Sequence, residues 1–160
     1  MSSFNRRLAL TMLLAPLAAC NFQPVYGPGG SGTALRNQIR LTNPDTRIEF
    51  EVLSRFEDRL GTGSTYDLDF AIETGQRDLA IDGAENIGRI NVVGSLAFTL
   101  REAATGRILQ QGEVATFTAY ATTDSPVATA SARRDAENRL AVALADQLVT
   151  RLLAGAPTWS

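Results

Sequence analysis

Between Arg89 and Arg101 the chain alternates almost without a break. Ile90, Val92, Leu96, Phe98 and Leu100 share one parity, Gly94 is the single gap, and the intervening positions are mostly polar or small. A period of two turns one side of a strand toward an apolar layer and the other toward water. The same period runs through Tyr66, Leu68, Phe70 and Ile72, with Asp67, Asp69 and Glu73 on the opposite parity, and briefly through residues 38–42. Leu79-Ala80-Ile81 prolongs the Tyr66 strand past a bend near Gly75, and Asp82-Gly83 opens a turn. Ala103-Ala104-Thr105-Gly106 has the length and the glycine of a hairpin connection, so residues 107 to about 120 pair back as the next strand. Within that strand Leu109 shares a parity with Ala115 and Phe117, while Val114 and Tyr120 take the other, which predicts a bulge near Gly112. Thr116, Thr118, Thr122 and Thr123 mark a side that meets water or another protein.

Two stretches follow the helical period instead. Asn43-Pro44 or Thr46 with Glu49, the spacing of a capping box, begins the first. Phe50, Leu53, Phe56 and Leu60 form its apolar stripe, and Gly61 with Gly63 stops it. Ser125-Pro126 caps the second, in which Ala136, Leu140, Leu144, Leu148 and Leu152 step by four with Ala143 and Leu153 widening the stripe. Gly155 and Pro157 end it, and Trp159 follows in a tail too short to fold by itself. Arg133, Arg134, Asp135, Glu137 and Arg139 crowd its first turns as a solvated face or a docking surface. The predicted order is strand, helix, three strands, helix. Each apolar face then finds cover in an α+β two-layer sandwich, with two helices packed on one face of a mostly antiparallel sheet of about four strands.

The first nineteen residues belong to a different pattern. Arg6 and Arg7 precede an apolar run, Leu8 to Leu14, too short to span a bilayer, and small residues lead from it into Cys20. This is the layout of a secretory leader, and Leu17-Ala18-Ala19-Cys20 resembles the bacterial lipobox. That resemblance implies cleavage before Cys20 and acylation of the cysteine; the bland alternative is an ordinary signal peptide ending near a cysteine. Two or three acyl chains on one residue make a near-permanent anchor. The chain thus divides into a lipoprotein-type signal peptide (1–19), a lipidated tether (20–33), one domain (34–155) and a C-terminal tail (156–160). Pro24, Pro28 and four glycines favour an extended tether, yet Phe22, Val25 and Tyr26 are apolar enough to lie against the domain, the lipid headgroups or a partner.

Composition narrows the chemistry. The chain carries 15 basic and 17 acidic residues, and loss of Arg6 and Arg7 with the leader takes the net charge from −2 to about −4, so nucleic acid is not the partner. Every basic residue is arginine, a side chain suited to bidentate phosphate contacts. Histidine is absent and Cys20 is the only cysteine. An acylated Cys20 leaves no thiol for a disulfide, a nucleophile or a metal. Ser-His and Cys-His catalysis and the usual zinc, copper and haem ligand sets are excluded, so the sequence points to a non-enzyme without cofactor or metal. Asp67, Asp69 and Glu73 admit a metal reading, but charges on the wet side of a strand are the ordinary arrangement.

Cys20-Asn21-Phe22-Gln23-Pro24-Val25-Tyr26-Gly27 resembles the start of the LptE family of lipopolysaccharide-assembly lipoproteins in its alphaproteobacterial form, where Phe-Gln-Pro and an aromatic-Gly pair follow the lipidated cysteine. Many such proteins have Gly where Asn21 stands. Asp there is linked to inner-membrane retention in some bacteria, and Asn21 leaves outer-membrane delivery open. The resemblance implies a sandwich anchored through Cys20 to the periplasmic face of the outer membrane. It also implies that the domain plugs and helps assemble an LptD-type β-barrel and assists lipopolysaccharide transport to the outer leaflet. The alternatives are an adaptor lipoprotein of a periplasmic ABC-type lipid transport complex and a carrier with an apolar pocket between sheet and helices. Only Cys20 carries over as a functional residue; ligand-contacting residues have no motif.

Overall fold

The computed structural model describes residues 25–78 and 88–159. Cys20, the lipobox, Phe22-Gln23-Pro24, Leu79-Ala80-Ile81 and Asp82-Gly83 lie outside them. A short helix α1 (Ser31–Leu35) precedes strand β1 (Ile39–Leu41), helix α2 (Arg47–Leu60), strands β2 (Tyr66–Asp78), β3 (Arg89–Glu102) and β4 (Ile108–Ala121), and helix α3 (Pro126–Gly155). A 3-10 turn, Ala156–Thr158, follows. The sheet order is β1-β2-β3-β4, with β1 parallel to β2 and the other two pairings antiparallel, so the α+β two-layer sandwich is the fold observed.

Local chemistry sets the element boundaries. The Thr46 hydroxyl accepts from the Glu49 amide while the Glu49 carboxylate accepts from the Thr46 and Asp45 amides, which satisfies the orphan donors of the first turn of α2. The Asp45 amide is the chief reason the Glu49 carboxyl lies below its ordinary value, with the Thr46 amide and hydroxyl adding to it. At the other end Gly61 adopts φ +71°, ψ −171°, a conformation closed to side chains with a Cβ, and its amide closes on the Glu57 carbonyl. Ser125 caps α3 through the Ala128 amide with Pro126 in its first turn.

The core lies between the helices and one face of the sheet. Leu68, Val92, Leu96, Phe98 and Leu100 point up from β2 and β3 into it. Val52, Phe56 and Leu60 of α2 and Ala136, Leu140, Leu144, Leu148 and Leu152 of α3 point down. Gly94, the gap in the β3 alternation, has a packing reason. A Cβ there would sit 2.9 Å from Leu140 Cδ2 and 3.3 Å from Leu144 Cδ1, so the missing side chain lets α3 approach the sheet. Among the described residues no buried side chain is polar or charged.

Five expectations need correction. Phe50 is 57% exposed, and the buried stripe of α2 runs through Val52, Phe56 and Leu60 with Leu53 at its edge. Ala141, Ala145 and Val149 are buried alongside the leucine ladder of α3, a widening on the side opposite to Ala143. The register of β3 against β4 slips between Leu100↔Gln110 and Arg101↔Ile108, which makes Leu109 the extra residue and leaves Gly112 regularly paired with Phe98. Gly112 instead gives the Phe98 ring room, since a Cβ there would lie 3.3 Å from it. Thr116 and Thr118 share the parity of Val114, on the helix side, where the Thr118 hydroxyl donates to the Ala136 carbonyl at 2.8 Å. Strand β2 also runs through Gly75 with no break in its register against β3.

Candidate interaction face

Helices α2 and α3 lie on one side of the sheet, and among the described residues the other side is bare. That face is built from the odd-numbered positions of β2, β3 and β4, and its character changes along the strands. At one end it is a lattice of ion pairs. Arg40 donates to Asp67 at 2.7 Å, Arg101 lies 3.6 Å from Asp69, and the Thr42 hydroxyl donates to Asp69 at 2.6 Å. Asp67 and Asp69, two of the three carboxylates considered for a metal, are thus matched by arginines, and among the described residues no cluster of three or more acidic or cysteine side chains could hold an ion. Toward the other end small and apolar positions, Ala71, Gly75, Val93, Ala97 and Ala115, interleave with Glu73, Arg77 and Ser95 and lead to Phe117, which is 65% exposed. A shallow recess of about 540 Å³ lies here, walled by Glu73, Arg77, Val93, Ser95, Ala115 and Phe117.

A second recess of about 430 Å³ opens at the same end, where the first turn of α2 and the early turns of α3 diverge from the sheet. Arg47, Arg133 and Glu137 rim it, so it differs from the enclosed apolar pocket that a carrier requires. The charge cluster at the start of α3 resolves into pairs: Arg133 with Glu137 at 2.9 Å and Arg139 with Asp135 at 3.1 Å. Arg139 also donates to the Ala119 carbonyl, tying the helix to β4.

The opposite end carries the start of the described chain. Helices α2 and α3 run parallel, clasped by Arg47 to Asn138 at 2.8 Å and by Arg55 and Arg59 to Asp146 at 3.0 and 2.7 Å. Arg59 reaches further, to the Tyr26 hydroxyl at 3.2 Å. That bond first, and the Asp146 charge after it, holds the Arg59 guanidinium above its ordinary value. The Tyr26 ring rests on Gly32, whose amide donates to the Val25 carbonyl, and the Thr33 hydroxyl closes on Gly27. Of the occupants considered for Val25 and Tyr26, the domain itself holds Tyr26. Sequence reasoning missed this clasp, although Arg47, Arg55 and Arg59 recur at helical intervals and so do Asn138 and Asp146.

The architecture is that of a small α+β sandwich with one face of its sheet uncovered. Comparison with known proteins specifies it further: residues 22–152 match the family model LptE, lipopolysaccharide-assembly, and the chain belongs to that family of lipoproteins acting in lipopolysaccharide assembly. Solved structures share the fold at low identity. A lipoprotein from Caulobacter crescentus is 19% identical with a TM-score of 0.66, over 82% of this chain and 98% of its own. Lipoprotein B of Nitrosomonas europaea is 12% identical at 0.58, over 74% and 83%. The rare lipoprotein B of Shewanella oneidensis is 10% identical at 0.55, over 73% and 92%. No curated protein matches the sequence significantly.

Proposed function

We propose that this protein is an outer-membrane lipoprotein, acylated at Cys20 on the periplasmic face, that seats in an LptD-type β-barrel, helps it assemble, and assists delivery of lipopolysaccharide to the outer leaflet. The observation that carries the reading is the bare sheet face ending at Phe117, in a family that acts in lipopolysaccharide assembly. A half-covered sheet whose open side passes from ion pairs to a stretch of small apolar residues interleaved with Glu73 and Arg77 offers a flat contact surface. It suits a wet barrel wall, which presents polar groups and occasional apolar side chains to its lumen. The work is done by shape and contact, without a cofactor, a metal or catalytic turnover. The acyl anchor keeps the module beside its partner and raises its effective concentration without any added contact area.

Purification of the acylated protein in mild detergent tests the reading. A stoichiometric outer-membrane barrel co-purifies if it holds, whereas an inner-membrane ABC-type transporter in its place favours the adaptor alternative. Cys20→Ala leaves the fold intact and releases the protein from membranes. A variant that still sediments with outer membranes after a salt wash overturns the anchor.

A further inference from the structure

The end of the sandwich that receives the N-terminal segment gathers aromatic and arginine side chains. Tyr66 begins β2 opposite Glu102 of β3, and the Ala103 amide donates to the Thr65 carbonyl, so the β3–β4 hairpin closes this end. Trp159, just past the 3-10 turn, packs edge-on against Tyr66 with ring centroids 5.4 Å apart and donates its indole N–H to the Gln110 side chain at 3.1 Å. Gln110 in turn donates to the Arg151 carbonyl, which brings the last turns of α3 to the same place. Arg36, Arg107 and Arg151 are exposed here, as are Tyr26 and Ile108 at 53% and 49%. Glu102 pairs with Arg107 at 3.6 Å, Asp146 is held by Arg55 and Arg59, and Asp67 and Asp69 are paired with Arg40 and Arg101, so that Glu57 and Asp58 are the exposed acids of this end, among the described residues, without an arginine partner.

Chain length says what this end meets. Cys20 to Pro24 is five residues, an extended reach of at most about 18 Å. If Cys20 is acylated, Val25 cannot be farther than that from the bilayer surface, and the clasped Tyr26 no farther than about 22 Å. Strand β2 alone spans about 40 Å, so the limit set by the tether falls on this end of the sheet and not on the Phe117 end. Aromatic side chains with a polar tip sit favourably at the headgroup level, and arginine forks bind lipid phosphate.

We infer that this pole, through Tyr26, Arg36, Arg107, Ile108, Arg151 and Trp159, lies against anionic phospholipid headgroups. The acyl anchor then orients the domain as well as retaining it, with this pole turned toward the lipid surface. The inference rests on the proposed acylation of Cys20, and the test keeps the two apart. Trp159 is the only tryptophan in the chain and serves as the reporter. The full acylated protein, its modification verified by intact mass, is reconstituted in phosphatidylethanolamine–phosphatidylglycerol vesicles whose acyl chains carry bromine. Trp159 loses most of its emission, and the loss shrinks in zwitterionic phosphatidylcholine vesicles and in the R36Q/R107Q/R151Q variant. Tyr26→Ala, which frees the segment from Arg59, also reduces quenching while the protein stays on the vesicles. Acylated, vesicle-bound protein whose Trp159 is unquenched, or whose quenching ignores headgroup charge and all three arginines, overturns the inference. An intact mass lacking acyl chains overturns the anchor instead.

Discussion

Strand β3 contributes to two surfaces that follow opposite rules. On its covered side Val92, Leu96, Phe98 and Leu100 are sealed beneath α2 and α3, and even its glycine is shaped by Leu140 and Leu144. On its bare side Asn91, Val93, Ser95, Ala97 and Thr99 stay within reach of solvent, and the neighbouring strand leaves Phe117 65% exposed. Burial and close packing dominate the stability of the first surface, whereas the second contributes little to holding the fold. A substitution on one side should therefore unfold the protein, and one on the other should leave it folded but without a partner.

The largest effect is expected at Leu144, fully buried at the centre of the α3 ladder. Leu144→Asp places an unpaired charge in a core with no buried polar side chain, at a cost of about 3–5 kcal/mol. An unchanged melting temperature would contradict the packing assigned to α3. Gly94→Val comes next, because its side chain meets Leu140 and Leu144 at once; overpacking costs about 1–3 kcal/mol, read as a lower denaturation midpoint.

Thr46→Ala removes the cap of α2 and should lower stability by about 1 kcal/mol in the same measurement. The capping box also carries a pH dependence with a definite sign. The folded-state value of Glu49 is depressed, so its contribution is present above the ordinary carboxylate range and is lost as the pH falls through the folded value. Glu49→Gln should flatten the stability profile there, by a small amount because the group is only partly buried and solvent screens it. The smallest stability effect belongs to the bare face: Phe117→Glu should change unfolding by no more than about 0.5 kcal/mol. It should still abolish co-purification of the barrel.

These two surfaces were not equally legible in the sequence. The covered one was written in periods. Alternation along β3, steps of four along α3, and the Thr46/Glu49 and Ser125-Pro126 caps placed most of the core and gave the α+β sandwich. Where two stripes could satisfy the same period the sequence was ambiguous. Phe50 and Val52 compete for the inside of α2, and the Arg47–Asn138 and Arg55/Arg59–Asp146 contacts across ninety residues accompany the rotation that buries Val52. Threonine parity misled for a related reason: a β-branched hydroxyl suits either side, and Thr118 faces inward because the Ala136 carbonyl accepts its proton. Gly112 read as a bulge because a strand glycine usually marks either a bulge or a close approach, and here Phe98 makes it the latter.

The bare face was half legible. Its acidic residues were read as the wet side of a strand, but their arginine partners Arg40 and Arg101 come from other strands, and pairing of that kind has no local signature. The Pro- and Gly-rich stretch before α1 has the composition of a tether, while the docking of Tyr26 depends on Arg59, thirty-three residues away. Local pattern records how a segment meets the core and is nearly silent on how distant surface residues meet one another.

Photocrosslinking from the bare face in living cells puts the central claim to its sharpest trial. A crosslinking residue replaces Phe117 in one strain and Ser54, on the outer side of α2, in another, and the adducts are identified by mass. The account predicts an outer-membrane β-barrel joined through position 117 and much less of it through position 54. Barrel adducts from position 54 alone, with none from position 117, would contradict it.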